Sequence, residues 1–348
     1  MNVPGSRDPR PVMAISIGDP AGIGPEVIVK ALAKCPELYT LCSPLVVGSS
    51  EVVRWNIEKY LPPDQRPRVI DVTWGDISRR NVYCTAGTIP VFNVKPRLSS
   101  ADFVLGKPQK ICGTVAMRSV DTVARIVLAG YADCVCNAPI NKEAAVLAGF
   151  EGLGHLEYYG KLTKSKEYAT MLATGNLRVV HLTTHYSLHR ACELVKKDRI
   201  LKKIVLTHKS LVSWGISSPR IAVAALNPHG SEGGMFGNEE AEEITPAVMA
   251  AKSLGINVTG PVPADSVFTR AIHDEFDCVL AMYHDQGHIP IKVHGFEKSV
   301  SVALGLPFVR TSVDHGTAFS KYPISYCINP NFNFCYFYRY FRKRCCHI

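Results

Sequence analysis

Three histidines each follow a short apolar run and sit among other polar residues. They are His185 in Thr183-Thr184-His185, His229 in Asn227-Pro228-His229, and His284 in Tyr283-His284-Asp285-Gln286. Three neutral imidazoles leave a divalent cation an open position, the usual arrangement of a catalytic metal such as Zn, Co, Mn or Mg. Taken singly, each is more often a hydrogen-bonded structural histidine than a ligand; only their joint placement at strand ends lets both readings stand. His181, His185 and His189 recur every four residues, which on a helix would align them. The flanking Val179-Val180 and Leu182-Thr183-Thr184 are β-branched strand composition instead. On a strand His181 and His185 lie ~13 Å apart and cannot hold one ion without a sharp bend. Outside the trio, His155 in Gly154-His155-Leu156-Glu157 reads as a substrate contact. Lys292, Lys298 and Arg310 flank apolar sequence after His284, a placement that favours capture of a carboxylate or phosphate.

The elements needed to position these residues are legible as alternating strand-like and helical segments. Strand-like runs cover 13–17, 44–47, 133–136, 179–183, 220–226, 278–282 and 301–309; helical ones cover 24–34, 113–130, 188–212 (broken) and 239–254. Pro25 and Glu26 are suited to the start of the first helix. Such alternation implies parallel strands in an α/β fold, where ligands sit beyond the carboxyl ends of the strands. The polar loops fall at those ends. Gly18-Asp19-Pro20-Ala21-Gly22-Ile23-Gly24-Pro25 follows a strand and opens a helix; it is either an anion-binding turn or a tight strand-to-helix connection. It is not a dinucleotide-binding G-x-G-x-x-G. Cys134 and Cys136 read as buried reduced thiols.

The chain has 348 residues and a net charge of +9, with 47% hydrophobic residues. That is enough for two domains and a sizeable core. No run is long and apolar enough for a membrane span, and no secretory signal is visible, so a cytoplasmic protein is expected. Much of the charge is terminal: residues 320–348 hold Lys321, Arg339, Arg342, Lys343 and Arg344 and no acid. The rest is nearly neutral and lacks a basic, aromatic-laced stripe, which argues against a nucleic-acid binder. The same terminal stretch holds nine aromatics and four of the twelve cysteines without any periodicity. It reads as a shifted frame or chimaeric junction after about Phe319, with an idiosyncratic natural terminus as the alternative; resequencing the gene decides between them.

Longer motifs carry a family resemblance. Residues 17–26 (IGDPAGIGPE), 137–142 (NAPINK), 226–229 (LNPH), 260–265 (GPVPAD), 281–287 (AMYHDQG) and 304–318 (LGLPFVRTSVDHGTA) resemble the PdxA family of 4-hydroxythreonine-4-phosphate dehydrogenases over about residues 11–319. The resemblance implies an isocitrate/isopropylmalate dehydrogenase-like fold. In that fold two α/β/α domains flank an interdomain active site, within a homodimer that shares its metal site. The expected division places 1–130 with 295–319 in one domain and 131–294 in the other. It further implies His185, His229 and His284 as metal ligands, and His155, Leu156, Lys292, Ser301 and Arg310 at substrate-contacting positions. Lys142 and Asp265 are proton-transfer candidates, and the loop His315-Gly316-Thr317 binds NAD or NADP. Three departures stand out. Leu156 replaces an expected Thr, and Ser301 replaces an expected Asn. After Ala318 the chain lacks the acidic residue and the helix that complete the cofactor loop. Gly234-Met235-Phe236-Gly237 and Gly287–Lys292 look closer to the second subfamily, which acts on D-threonate or D-erythronate 4-phosphate. Alternatives are a dehydrogenase of a non-phosphorylated dihydrodiol carboxylate, or a ligand-binding relative inactivated by loss of the cofactor loop.

Overall fold

The structure, a computed structural model, describes residues 10–82 and 84–321. All but the first two residues of the unusual terminal stretch lie outside that range, so the reading-frame expectation falls outside the described residues. Among the described residues no helix is long and apolar enough to cross a membrane.

The strands, in chain order, are β1 Val12–Ser16, β2 Ser43–Gly48, β3 Arg68–Val72, β4 Thr88–Asn93, β5 Cys134–Asn137 and β6 Ala169–Thr174. They continue as β7 Leu177–His181, β8 Ile221–Ala224, β9 Val258–Val262, β10 Cys278–Ala281, β11 Val300–Leu304 and β12 Val309–Val313. The chain divides into two compact units: one ends at Lys164 and resumes at Leu306, and the other spans Ser165–Gly305.

In the first unit the strand order is β3-β4-β2-β1-β5-β12, every pairing parallel. β1 and β2 are buried along their whole length. Their sequences, Val-Met-Ala-Ile-Ser and Ser-Pro-Leu-Val-Val-Gly, are the continuous apolar runs that a sheet covered on both faces requires. The helix Gly24–Lys34 starts with Pro25 and Glu26 and packs Ile28, Val29 and Leu32 into the core. Because β5 pairs with β1, and β12 with β5, residues 131–164 and 306 onward belong to this unit. The observed boundaries therefore differ from the expected 130/131 and 294/295.

In the second unit the order is β11-β6-β7-β10-β8-β9; β6 runs antiparallel to both neighbours, and β7, β10, β8 and β9 are mutually parallel. Val179, Ala222, Ala224, Val279 and Ala281 belong to its core cluster. The expected single run 301–309 is two strands separated by a turn at Gly305, whose φ is +79° and whose Cβ position would fall 2.2 Å from the Glu167 carbonyl oxygen. The turn residues Leu306 and Phe308 are apolar because they pack on the first unit's core.

Candidate functional site

Within the second unit, the parallel strands β7, β10 and β8 are adjacent. Their carboxyl ends deliver His185, His284 and His229 respectively. Strands ~4.8 Å apart bring three consecutive loops together at one sheet edge. Hydrogen bonds then tie the loops to each other. Thr183 Oγ1 donates to the Met282 carbonyl at 2.8 Å, joining the β7 and β10 loops. Buried Gln286 donates to the Ala225 carbonyl and accepts from the Met282 N–H, both at 2.7 Å, joining the β10 and β8 loops. Glu240 Oε1 accepts from the backbone N–H of Leu226 and Asn227 at 2.8 and 2.7 Å. Thr183 and Gln286 lie in the polar stretches quoted with the histidines but were given no role there, and Glu240 was not singled out.

The loop bearing His229 is left-handed at six successive residues: φ is +53° at His229, +72° at Gly230, +74° at Ser231, +43° at Glu232, +71° at Gly233 and +102° at Gly234. Three non-glycine residues in this region each cost roughly 1–2 kcal/mol. They persist because the surroundings hold them: Ser231 Oγ donates to the Gly237 carbonyl, and Asn227 Nδ2 donates to Glu239 and Glu240.

Two of the three imidazoles are aimed by carboxylates. His229 Nδ1–H donates to Glu232 and His284 Nδ1–H to Asp285, each at 2.6 Å. In the neutral tautomer this leaves Nε2 as a free lone pair, the state a cation needs. The rings of His185 and His284 are 6.0 Å apart, and all three side chains reach solvent. Among the described residues, no three His, Cys, Asp or Glu side chains are gathered tightly enough to hold one ion as they stand. The donor set and its carboxylate partners suit a divalent metal in chemistry and tautomer.

Of the other second-unit candidates, Lys292 stands on the helix His284–Gly295 with its ammonium 4.9 Å from the Phe296 ring centre. Ser301 is buried in β11, and Asp265 is exposed in the first turn of the helix Ala264–Ile272.

The first unit assembles a separate polar cluster. Asn137, at the end of β5, accepts from Arg310 Nε and donates to Ser16 Oγ and to the Tyr159 hydroxyl, all at 2.8 Å. Arg310 is 4% exposed, and desolvation lowers its pKa. His155 opens the helix His155–Thr163, and its Nε2 is buried with no hydrogen-bond partner. Burial and the Arg310 charge hold its pKa well below the ordinary imidazole value. A neutral imidazole and a desolvated guanidinium, each with little to offset it, suit an anionic guest. Leu156 beside them is half-buried, and Lys142 is exposed at the start of the helix Lys142–Leu147. Asn137 lies in the motif 137–142 without an assigned role, and Tyr159 was not singled out; hydrogen bonds link both to the Arg310 cluster.

The glycine-rich loop is a tight connection rather than an anion cradle. Ala21 N–H bonds Asp19 Oδ1, Gly22 N–H bonds the Asp19 carbonyl, and Ile23 N–H bonds the Thr317 carbonyl. Gly18, at φ +73°, would place a Cβ 2.5 Å from the Pro139 carbonyl oxygen. The loop His315–Thr317 therefore packs on this turn through buried Thr317, while Gly316 is exposed, with no atom of the described residues within 4 Å of where a Cβ would stand. That open backbone is compatible with a dinucleotide.

Asp19 is fully buried, its Oδ2 has no partner, and desolvation raises its pKa from 3.8 to about 7. Between those values the native state holds a proton that the unfolded chain has lost, so stability falls as pH rises through about 4 to 7. Asp19→Asn is neutral throughout and is expected to remove that slope. At pH 8 the variant should exceed the parent by about 2–4 kcal/mol, at ~1.4 kcal/mol per pH unit, and the gain should fade toward pH 4. Urea melts at the two pH values check this; a difference that ignores pH overturns it.

Comparison with known proteins agrees with this architecture. The family model for pyridoxal phosphate biosynthetic protein PdxA matches residues 40–322. The chain is 43% identical over 316 residues to a 4-hydroxythreonine-4-phosphate dehydrogenase of Desulfosudis oleivorans, covering 90% of each. It is 39% identical over 308 residues to a D-threonate 4-phosphate dehydrogenase of Pectobacterium atrosepticum, covering 88% of this chain and 92% of that one. A crystal structure of a 4-hydroxythreonine-4-phosphate dehydrogenase from Klebsiella pneumoniae superposes with a TM-score of 0.79 at 38% identity, covering 89% of this chain and 93% of that one. The polar strand ends and both histidine-bearing clusters thus lie on the scaffold of a known enzyme group, and the chain belongs to the PdxA family of dehydrogenases.

Proposed function

We propose that this chain catalyses the NAD(P)-dependent oxidation of a 4-phosphorylated four-carbon 3-hydroxy acid, followed by loss of CO2. The substrate class is 4-hydroxy-L-threonine 4-phosphate or D-threonate/D-erythronate 4-phosphate. The working form is a cytoplasmic homodimer. The observation that carries the reading is the delivery of His185, His229 and His284 by three adjacent parallel strands, with Glu232 and Asp285 fixing two of the tautomers.

A divalent metal held by His185, His229 and His284 would supply Lewis acidity at the substrate oxygen, lowering the hydroxyl pKa and favouring charge on that oxygen as CO2 departs. Arg310, held by Asn137, and neutral His155 bind the anionic end of the substrate. Binding energy from that non-reacting end orients the carbon that loses hydride. Lys292 adds positive charge, and Lys142 or Asp265 moves the proton. His315, Gly316 and Thr317 receive the dinucleotide. Leu156 and Ser301 offer fewer hydrogen bonds than the Thr and Asn expected there, which favours a substrate poorer in donors at those points: a threonate or erythronate phosphate rather than the amino acid.

The test supplies NAD and a divalent metal and follows NADH absorbance with each phosphorylated acid separately. NADH with D-threonate or D-erythronate 4-phosphate is the expected result. NADH only with 4-hydroxy-L-threonine 4-phosphate overturns the substrate preference. Silence with all three, from folded and metal-loaded protein, overturns the dehydrogenase reading for this chain and favours a ligand-binding relative.

A further inference from the structure

His181 ends β7 and is 3% exposed, with both ring nitrogens buried. Taking an imidazole out of water costs free energy that a leucine or phenylalanine there would avoid. Its surroundings account for the imidazole. The His181 ring lies 4.5 Å from that of His288, and His288 stacks on His284 at 3.6 Å with 11° between planes. His288 is one turn beyond His284 on the helix His284–Gly295, and its Nδ1–H donates to the His284 carbonyl at 3.0 Å. Gly287 leaves room for this packing: a Cβ there would stand 2.3 Å from His181 Nε2. Three imidazoles thus form a column from the buried end of a strand to the exposed start of a helix.

We propose that His181 and His288 are positioning residues, whose column holds the face of the His284 ring while Asp285 holds its edge. Together they fix the direction of the Nε2 lone pair before any cation arrives. Asp285 bonds a single nitrogen and leaves the ring free to swing about that bond. A stacked neighbour anchored to the same turn removes this freedom, and the buried His181 keeps the neighbour in place. Preorganisation of this kind is expected to appear in cation affinity before it appears in turnover.

The inference rests on the metal reading above, so its test separates the two. Cobalt(II) is titrated into the intact protein, following its visible absorption and its competition with a chelator. His288→Leu is expected to weaken binding about 10–100-fold and to alter the band pattern, with the urea midpoint little changed. His288→Phe, which restores a stacking face, should recover most of the affinity. His181→Leu should shift it in the same direction as His288→Leu. If His288→Leu and His181→Leu bind cobalt like the parent while His284→Ala does not, the positioning role is wrong and the metal reading survives. If the parent binds no cobalt, or His284→Ala binds it as well as the parent, both fall. Should His288→Leu not fold, the comparison of His288→Phe and His181→Leu with the parent decides.

Discussion

Changing His229 to alanine is expected to abolish turnover, by roughly 10³-fold or more, while the protein remains folded. At ~1.4 kcal/mol per decade this is about 4 kcal/mol of lost transition-state stabilisation. The contrast follows from where the side chain sits. Its hydrogen bond is to Glu232, three residues on in the same exposed loop, and its ring fills no core space. The left-handed backbone at φ +53° already carries a non-glycine Cβ, so the substitution adds little strain. Stability should stay within ~0.5–1 kcal/mol of the parent. The measurement pairs the initial rate of NADH formation with a urea midpoint. Full activity in a folded variant would remove His229 from the metal set, and loss of both properties would assign it a structural role.

The second large effect concerns the scaffold. Gly113 lies in the helix Lys110–Leu128, where alanine is ordinarily the better residue by about 1 kcal/mol. Here a Cβ would stand 1.9 Å from the carbonyl oxygen of Ala144 and 2.3 Å from its carbonyl carbon, in the backbone of the helix Lys142–Leu147. Backbone cannot yield as a side chain can, so the helices must separate. Gly113→Ala is expected to destabilise the protein by about 3 kcal/mol, as overpacking outweighs propensity. Gly75 is a matched control: in the short helix Trp74–Ser78, its Cβ would meet only the Thr73 hydroxyl at 3.5 Å. Gly75→Ala should gain about 0.5–1 kcal/mol. Denaturant midpoints for the pair test whether the sign of a glycine substitution follows close approach; equal responses would reject it.

How much of this was legible follows from which forces leave a mark on local sequence. The helix Gly24–Lys34 was readable to the residue because Pro25, Glu26 and Lys34 punctuate both ends. β1, β2, β5, β7, β8 and β10 were readable because burial on both faces demands unbroken apolar runs. β3, Arg-Val-Ile-Asp-Val, is half-exposed at the sheet edge and carries no such signature. The break between β11 and β12 was hidden by turn residues that are themselves apolar. The placement of the histidine trio after strands was legible from the apolar runs before it. Its cross-ties through Thr183, Gln286 and Glu240 were not, since hydrogen bonds between distant segments impose no periodicity. His288 stands beside Gly287, a residue type that signals a loop in sequence, yet both lie within the helix His284–Gly295.

The excursion of the chain from Lys164 to Leu306 has a consequence for how the molecule is made. β12 is the parallel strand that pairs with β5, and it is encoded after the whole of the other unit. During vectorial synthesis the first unit must therefore wait on the ribosome with the edge of β5 unpaired, an exposed template for wrong partners. Among the described residues the second unit is the single stretch Ser165–Gly305, and all six of its strands are present once Gly305 has left the exit tunnel. The later-encoded body can thus close first, and its completion hands the nascent chain the strand that seals the earlier one.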